Sequence, residues 1–157
     1  MTTTNAMRLL MKAGIAFDTS EYEVDESDLS GVHAAHALGI DPDCMFKTLV
    51  ARGDKKGVSV FCIPVAEELD LKKCAAVTGD KKIEMIHVRE LLGLTGYVRG
   101  GCSPVGMKKK YPTWIDETAV LCDRIYVSAG MRGQQIILAP DDLARCVGAE
   151  YADLTKR

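Results

Sequence analysis

Two apolar runs near the middle of the chain, residues 45–51 and 58–65, constrain the fold more than any other feature of the sequence. Between them lies Gly53-Asp54-Lys55-Lys56-Gly57, a short polar segment with two glycines, which is turn chemistry. The runs, Met45-Phe46-Lys47-Thr48-Leu49-Val50-Ala51 and Val58-Ser59-Val60-Phe61-Cys62-Ile63-Pro64-Val65, are rich in residues that suit a half-buried pleated surface. Together they predict an antiparallel hairpin.

The remaining punctuation predicts helices and strands without a regular βαβα period. A helix over 4–13 is stopped by Gly14, with Met7, Leu10 and Met11 on one face. Ile15, Phe17 and Thr19 then alternate toward Glu21-Tyr22-Glu23-Val24, as in one or two short strands. A second helix over 30–38 has Ser30 as N-cap and Gly39 as stop, a third over 70–77 is capped by Asp70, and 88–92 is a short helical stretch. Residues 97–99 read as a strand running into Gly100-Gly101, and 124–128 and 134–138 as strands joined by a glycine-containing turn. Pro140-Asp141-Asp142 opens a last helix. This intermingling predicts an α+β fold with a mixed sheet. No repeat and no long Pro, Gly or Ser linker interrupts it, so residues 1–157 are expected to form a single domain.

Composition narrows the function classes. Hydrophobic residues make up 47% and charged residues 27%, as in an ordinary globular protein. No apolar run approaches the roughly 20 residues needed to cross a membrane, and the N-terminal residues do not read as a secretory signal, so the expectation is a cytoplasmic protein. The net charge of −2 argues against coating nucleic acid, DNA included, by global electrostatics. Basic side chains are nevertheless grouped at Lys55-Lys56, Lys72-Lys73, Lys81-Lys82 and Lys108-Lys109-Lys110. The six cysteines, Cys44, Cys62, Cys74, Cys102, Cys122 and Cys146, have no Cys-x-x-Cys spacing and read as reduced thiols.

Familiar catalytic motifs are missing. His33 and His36 sit three apart but lack the Glu of a zinc-protease motif, and no metal or other cofactor is expected. Gly101-Cys102-Ser103-Pro104-Val105-Gly106 has P-loop spacing but is followed by Met107-Lys108-Lys109 in place of Lys and a hydroxyl residue, which disfavours nucleotide hydrolysis. Two positions carry more information. Lys47 is the charged residue of an apolar strand, and is either a lysine on a wet face or a cation placed for a phosphate or developing oxyanion. Gly100-Gly101 is either a tight bend or a place where backbone approaches a ligand closely.

Read in order, Phe46-Lys47-Thr48-Leu49, Pro64-Val65-Ala66, Leu69-Asp70-Leu71-Lys72-Lys73, Thr95-Gly96-Tyr97, Gly100-Gly101-Cys102-Ser103-Pro104, Ile125-Tyr126-Val127-Ser128, Arg132-Gly133 and Leu138-Ala139-Pro140-Asp141-Asp142-Leu143 resemble the YbaK-type Cys-tRNA(Pro) deacylase family across nearly the whole chain. The resemblance implies a mixed, barrel-like β-sheet surrounded by helices, related to the editing domain inserted in bacterial prolyl-tRNA synthetases. It implies a catalytic role for Lys47, near the terminal ribose and phosphate, and for Gly100, whose carbonyl holds the substrate's α-amine. Tyr22, Thr48 and Ser128 match further pocket positions, and Gly101, Ser103 and Pro104 fall in the same glycine-rich segment. The sequence departs from the family near Leu29 or Ser30, where an aromatic residue is common, and at Gln135, where an Asp sometimes stands.

The implied chemistry needs no enzyme nucleophile. The cysteine on the tRNA attacks its own ester carbonyl, giving a small-ring thiolactone and free tRNA, while the protein supplies positioning and electrostatics. Cys102 is then pocket wall. The expected partners are the acceptor end of an aminoacyl-tRNA and prolyl-tRNA synthetase. Two other readings are an Ala-tRNA(Pro) hydrolase of the same superfamily and a non-catalytic tRNA- or synthetase-binding module.

Overall fold

In a computed structural model of the chain, which describes residues 2–156, the expected hairpin forms as β2 (Phe46–Gly53) and β3 (Gly57–Pro64). The strands pair antiparallel from Phe46 with Pro64 to Gly53 with Gly57, and Gly57 takes a φ of 77° that closes the turn. β3 is buried from Ser59 to Pro64 because both its faces are covered. Phe61 and Ile63 point into one core with Ala51, Cys74 and Leu154, whereas Cys62 between them points into another with Phe46 and Ile115. That split is the period of two expected of a strand between layers.

Capping fixes the helices where the sequence predicts them. Thr4, Ser30 and Asp70 accept backbone N–H groups at the starts of α1 (Asn5–Lys12), α2 (Gly31–Leu38) and α3 (Leu71–Thr78). α4 (Val88–Thr95) is longer than the 88–92 stretch foreseen and stops at Gly96, and α5 (Pro140–Val147) begins on its proline. α1 buries Met7 and Leu10 in the core between the sheets, α2 packs Ala34 and Ala35 beside Met45 and Val65, and α3 covers the far face of the hairpin with Cys74 and Ala75.

The strands fall into two sheets. β1 (Asp18–Glu21), β7 (Gln134–Leu138) and β6 (Ile125–Ser128) form an antiparallel sheet in the order β1-β7-β6. The hairpin belongs to a mixed sheet with β4 (Ile83–Met85), β5 (Thr113–Asp116) and β8 (Glu150–Ala152), in the order β4-β2-β3-β5-β8. β3, β5 and β8 run parallel. The α+β expectation with a mixed sheet holds. Among the described residues neither sheet closes on itself; a parallel bridge between Met45 and Tyr126 joins the edge of one to the other.

Two sequence expectations are corrected here. Residues 97–99 are not a strand: Gly96 ends α4 in the left-handed region, and the backbone then turns at once, with the Gly101 N–H bonded to the Val98 carbonyl at 3.0 Å. Nor are all six cysteines reduced. Cys44 and Cys122, 78 positions apart, form a disulfide with Cα atoms 6.0 Å apart. Spacing could not reveal it, because the fold alone brings the two segments together. Cys62, Cys74, Cys102 and Cys146 are free.

The disulfide lies beside the inter-sheet bridge, Cys44 directly before Met45 and Cys122 shortly before β6. A link that closes so long a loop restrains the unfolded chain, and its loss costs about 2–4 kcal/mol. Cys44→Ala should therefore lower the urea midpoint, and reductant should lower the wild-type midpoint to a similar value while leaving the variant unmoved. Coincident melts for wild type with and without reductant would contradict the link.

Candidate active site

A cavity of about 380 Å³ opens where the two sheets meet. β2 supplies Lys47 and Thr48, β6 supplies Ser128, β7 supplies Gln135, and Tyr22 follows directly on β1. The N-terminus of α2 contributes Ser30 and Gly31, adding the partial positive charge of unpaired helix N–H groups. Met85, Val88 and Leu91 make an apolar side, and Arg99, Gly100 and Cys102 come from the loop after α4.

Strand register explains why the polar groups converge. Gln135 pairs with Ser128, and Met45 bridges Tyr126; continuing that parallel bridge two residues along both chains brings Lys47 beside Ser128. Lys47, Ser128 and Gln135 thus form a cross-strand row, with Lys47 and Gln135 about 10 Å apart at the usual interstrand spacing. Lys47 is half-buried. Loss of water around its ammonium holds its pKa below the usual 10.5, against the pull of Glu68 and Glu67, whose carboxylates favour the charged form.

The glycine-rich loop is built to bring backbone to the cavity. Gly100 has a φ of +85°, a conformation that L side chains rarely adopt. A Cβ at Gly101 would meet the backbone of Arg132 at 3.1 Å and of Met131 at 3.3 Å, so this glycine allows the loop to seat on the β6–β7 turn. Arg132 Nε donates to the Arg99 carbonyl at 2.8 Å and fastens the same contact. Of the site residues expected from sequence, Lys47, Thr48, Tyr22, Gly100 and Ser128 line the cavity, while Gly101, Ser103 and Pro104 lie buried behind its wall. Ser103 Oγ is turned inward and accepts the Val105 N–H at 3.2 Å. Thr48 Oγ1 is in contact with Cys62 Sγ at 3.9 Å, and Ser128 Oγ accepts the Gly130 N–H at 3.1 Å.

Arg99 was not singled out by the sequence; it sits one residue before the glycine pair, and a cation in that position was a readable signal. With Lys47 it provides the only charged side chains among the described residues lining the cavity, which include no histidine and no carboxylate. Cys102 lines the cavity too, but burial pushes its thiol up to about 12, only partly offset by a hydrogen bond with Thr95. Such a thiol is protonated at neutral pH and a poor nucleophile.

A family profile described as the aminoacyl-tRNA editing domain matches residues 29–146, which takes in most of this cavity. The chain belongs to that family. Within the editing family it is 45% identical to "Putative Cys-tRNA(Pro)/Cys-tRNA(Cys) deacylase EbsC" of Enterococcus faecalis, over 98% of this chain and 94% of that one. It is also 32% identical to "Proline--tRNA ligase" of Shouchella clausii over 66% of this chain but 18% of that longer protein. A solved structure described as "a putative trans-editing enzyme for prolyl tRNA synthetase" superimposes with a TM-score of 0.84 and 25% identity, covering 99% of this chain and 100% of that one.

The depressed pKa of Lys47 makes a prediction about stability for this editing domain. Because the folded-state value lies below the unfolded one, the unfolded chain binds more protons between the two, and this residue's contribution to stability rises with pH in that window. The difference in urea midpoint between wild type and Lys47→Met should shift in favour of wild type as pH is raised from neutral toward 10.5. A difference that stays constant would mean that Lys47 is fully hydrated.

Proposed function

We propose that the chain is a trans-editing aminoacyl-tRNA deacylase that releases cysteine from mischarged Cys-tRNA(Pro), with the substrate's own thiol as nucleophile. The observation that carries this reading is the make-up of the cavity: cations and backbone groups, with no base beside a nucleophile among the described lining residues. A thiol ester-exchange reaction inside the substrate asks only for positioning and charge stabilisation.

In the proposed reaction the cysteine sulfur attacks its ester carbonyl carbon and a C–S bond forms. The C–O bond to the terminal ribose then breaks, and the thiol proton ends on the departing ribose oxygen. The products are a four-membered thiolactone and free tRNA, and water opens the thiolactone afterwards. Gly100 presents its carbonyl to the α-amine, and the Lys47 ammonium faces the ribose and phosphate end, where negative charge develops on the leaving oxygen. Tyr22, Thr48 and Ser128 shape the pocket around the acyl group, and Gly101, Ser103 and Pro104 support the loop from behind. Arg99, at the same rim as Gly100, adds to the field that attracts the acceptor end.

The likeness of this chain to a segment of a proline–tRNA ligase supports prolyl-tRNA synthetase as the partner that supplies tRNA selectivity to a domain of net charge −2. The bridge between Met45 and Tyr126, which brings two open sheets edge to edge around the cavity, supports a barrel-like reading of the frame. Translation editing fits residence in the cytoplasm, where glutathione would hold the Cys44–Cys122 link reduced for part of its life.

The test is deacylation of purified Cys-tRNA(Pro), with Ala-tRNA(Pro) alongside. Wild type should release cysteine much faster than alanine; equal rates would favour a water-based Ala-tRNA(Pro) hydrolase, and no release of either would favour a binding module. Lys47→Ala should keep a native circular dichroism spectrum and lose most turnover. Cys102→Ser should keep substantial activity with no acyl adduct on the intact protein; an adduct on Cys102 together with an inactive Ser variant would overturn the mechanism.

A further inference from the structure

Four side-chain oxygens among the described residues are buried without a hydrogen-bond partner: those of Ser59, Gln134, Gln135 and Thr155. Of their residues, Gln135 alone lines the cavity. The residue is 6% exposed, and no hydrogen bond of its carboxamide is found within the protein. A buried amide left unpaired costs free energy that folding would avoid with any apolar residue of the same size. Its neighbours on β7 make that contrast plain, since Ile136 and Leu138 point into the core and are fully packed. Gln135 points the other way, on the side shared with Ser128.

The surroundings define what could satisfy it. The loop carrying Gly100 seats on the β6–β7 turn, through Gly101 against Met131 and Arg132 and through Arg132 on the Arg99 carbonyl. Gln135 is the second residue after that turn, so it shares this end of the cavity with Gly100, one strand beyond Ser128 and furthest along the row from Lys47. With no carboxylate lining the cavity, an amine bound here must find neutral acceptors.

We infer that the Gln135 carboxamide oxygen is a second acceptor for the substrate's α-amine, alongside the Gly100 carbonyl, and so a specificity-determining residue for α-aminoacyl esters. This rests on the deacylase reading above. Holding the amine at two points fixes rotation about the Cα–carbonyl bond and turns the side-chain sulfur toward the ester carbon. A ligand whose amine is blocked or missing leaves the carboxamide unpaired and is rejected on that account.

The experiment uses Gln135→Met, with Gln135→Leu as an independent apolar replacement. Single-turnover kcat/KM is measured with Cys-tRNA(Pro) and with 3-mercaptopropionyl-tRNA(Pro), which keeps the thiol and lacks the amine. Both variants should lose about tenfold on Cys-tRNA(Pro), the effect of one such hydrogen bond, and should match wild type on the amine-free ester. Their melting midpoints should equal or exceed that of wild type, because an unsatisfied buried amide has been removed. An equal loss on both esters, or a lower midpoint in both variants, would overturn the assignment. Wild-type release of cysteine with unchanged variant rates would overturn it alone, whereas failure of wild type to release cysteine at all would overturn the deacylase reading beneath it.

Discussion

The pairing of Met45 with Tyr126 is the contact on which the site depends. It is a single parallel bridge, yet it sets the offset between the hairpin and the three-stranded sheet, and therefore which side chains of β2 face those of β6 and β7. Because side chains alternate along a strand, a slip of one residue would turn Lys47 away from Ser128 and Gln135. Several features hold the register. The Cys44–Cys122 disulfide lies directly beside the bridge, α2 packs Ala34 and Ala35 onto Met45, and Phe46 is locked into the core on the opposite face.

Charge in the cavity follows from that geometry. Lys47 must give up part of its hydration to sit on the row, and the anionic influence of Glu67 and Glu68 repays only part of the loss. An ammonium in this condition gains more than a hydrated one from meeting an anionic oxygen, since less water has to be removed first. On the other wall, the same dry surroundings keep Cys102 protonated. Burial thus strengthens the cation as a stabiliser of negative charge and disables the nearest thiol as a nucleophile, and both effects point to chemistry carried by the ligand.

Much of this was legible in the sequence wherever a local rule decided the outcome. The hairpin announced itself through its turn, and Thr4, Ser30 and Asp70 cap the helices they were expected to cap. Lys47 stood out as a charge in an apolar strand, and the resemblance to the editing family brought Gly100, Tyr22 and Ser128 with it. What depends on distant neighbours was not legible. β4, β5 and β8 are three or four residues long and exist because a sheet edge pairs with them. Ser103 and Pro104 share a motif with Gly100, but the turn at Gly100-Gly101 sends them behind the wall. The disulfide and the unpaired amide of Gln135 have no sequence signal, because each is defined by what the fold places around it.

The central claim is that the cavity supplies position and charge while the ligand supplies the nucleophile. Single-turnover release from one tRNA(Pro), charged in turn with cysteine and with serine, tests it most directly. The two acyl groups differ by sulfur for oxygen, so both should bind with similar affinity, and the account predicts that serine leaves at least about a hundredfold more slowly, the scale of a lost activated nucleophile. Equal release rates for the two would contradict it.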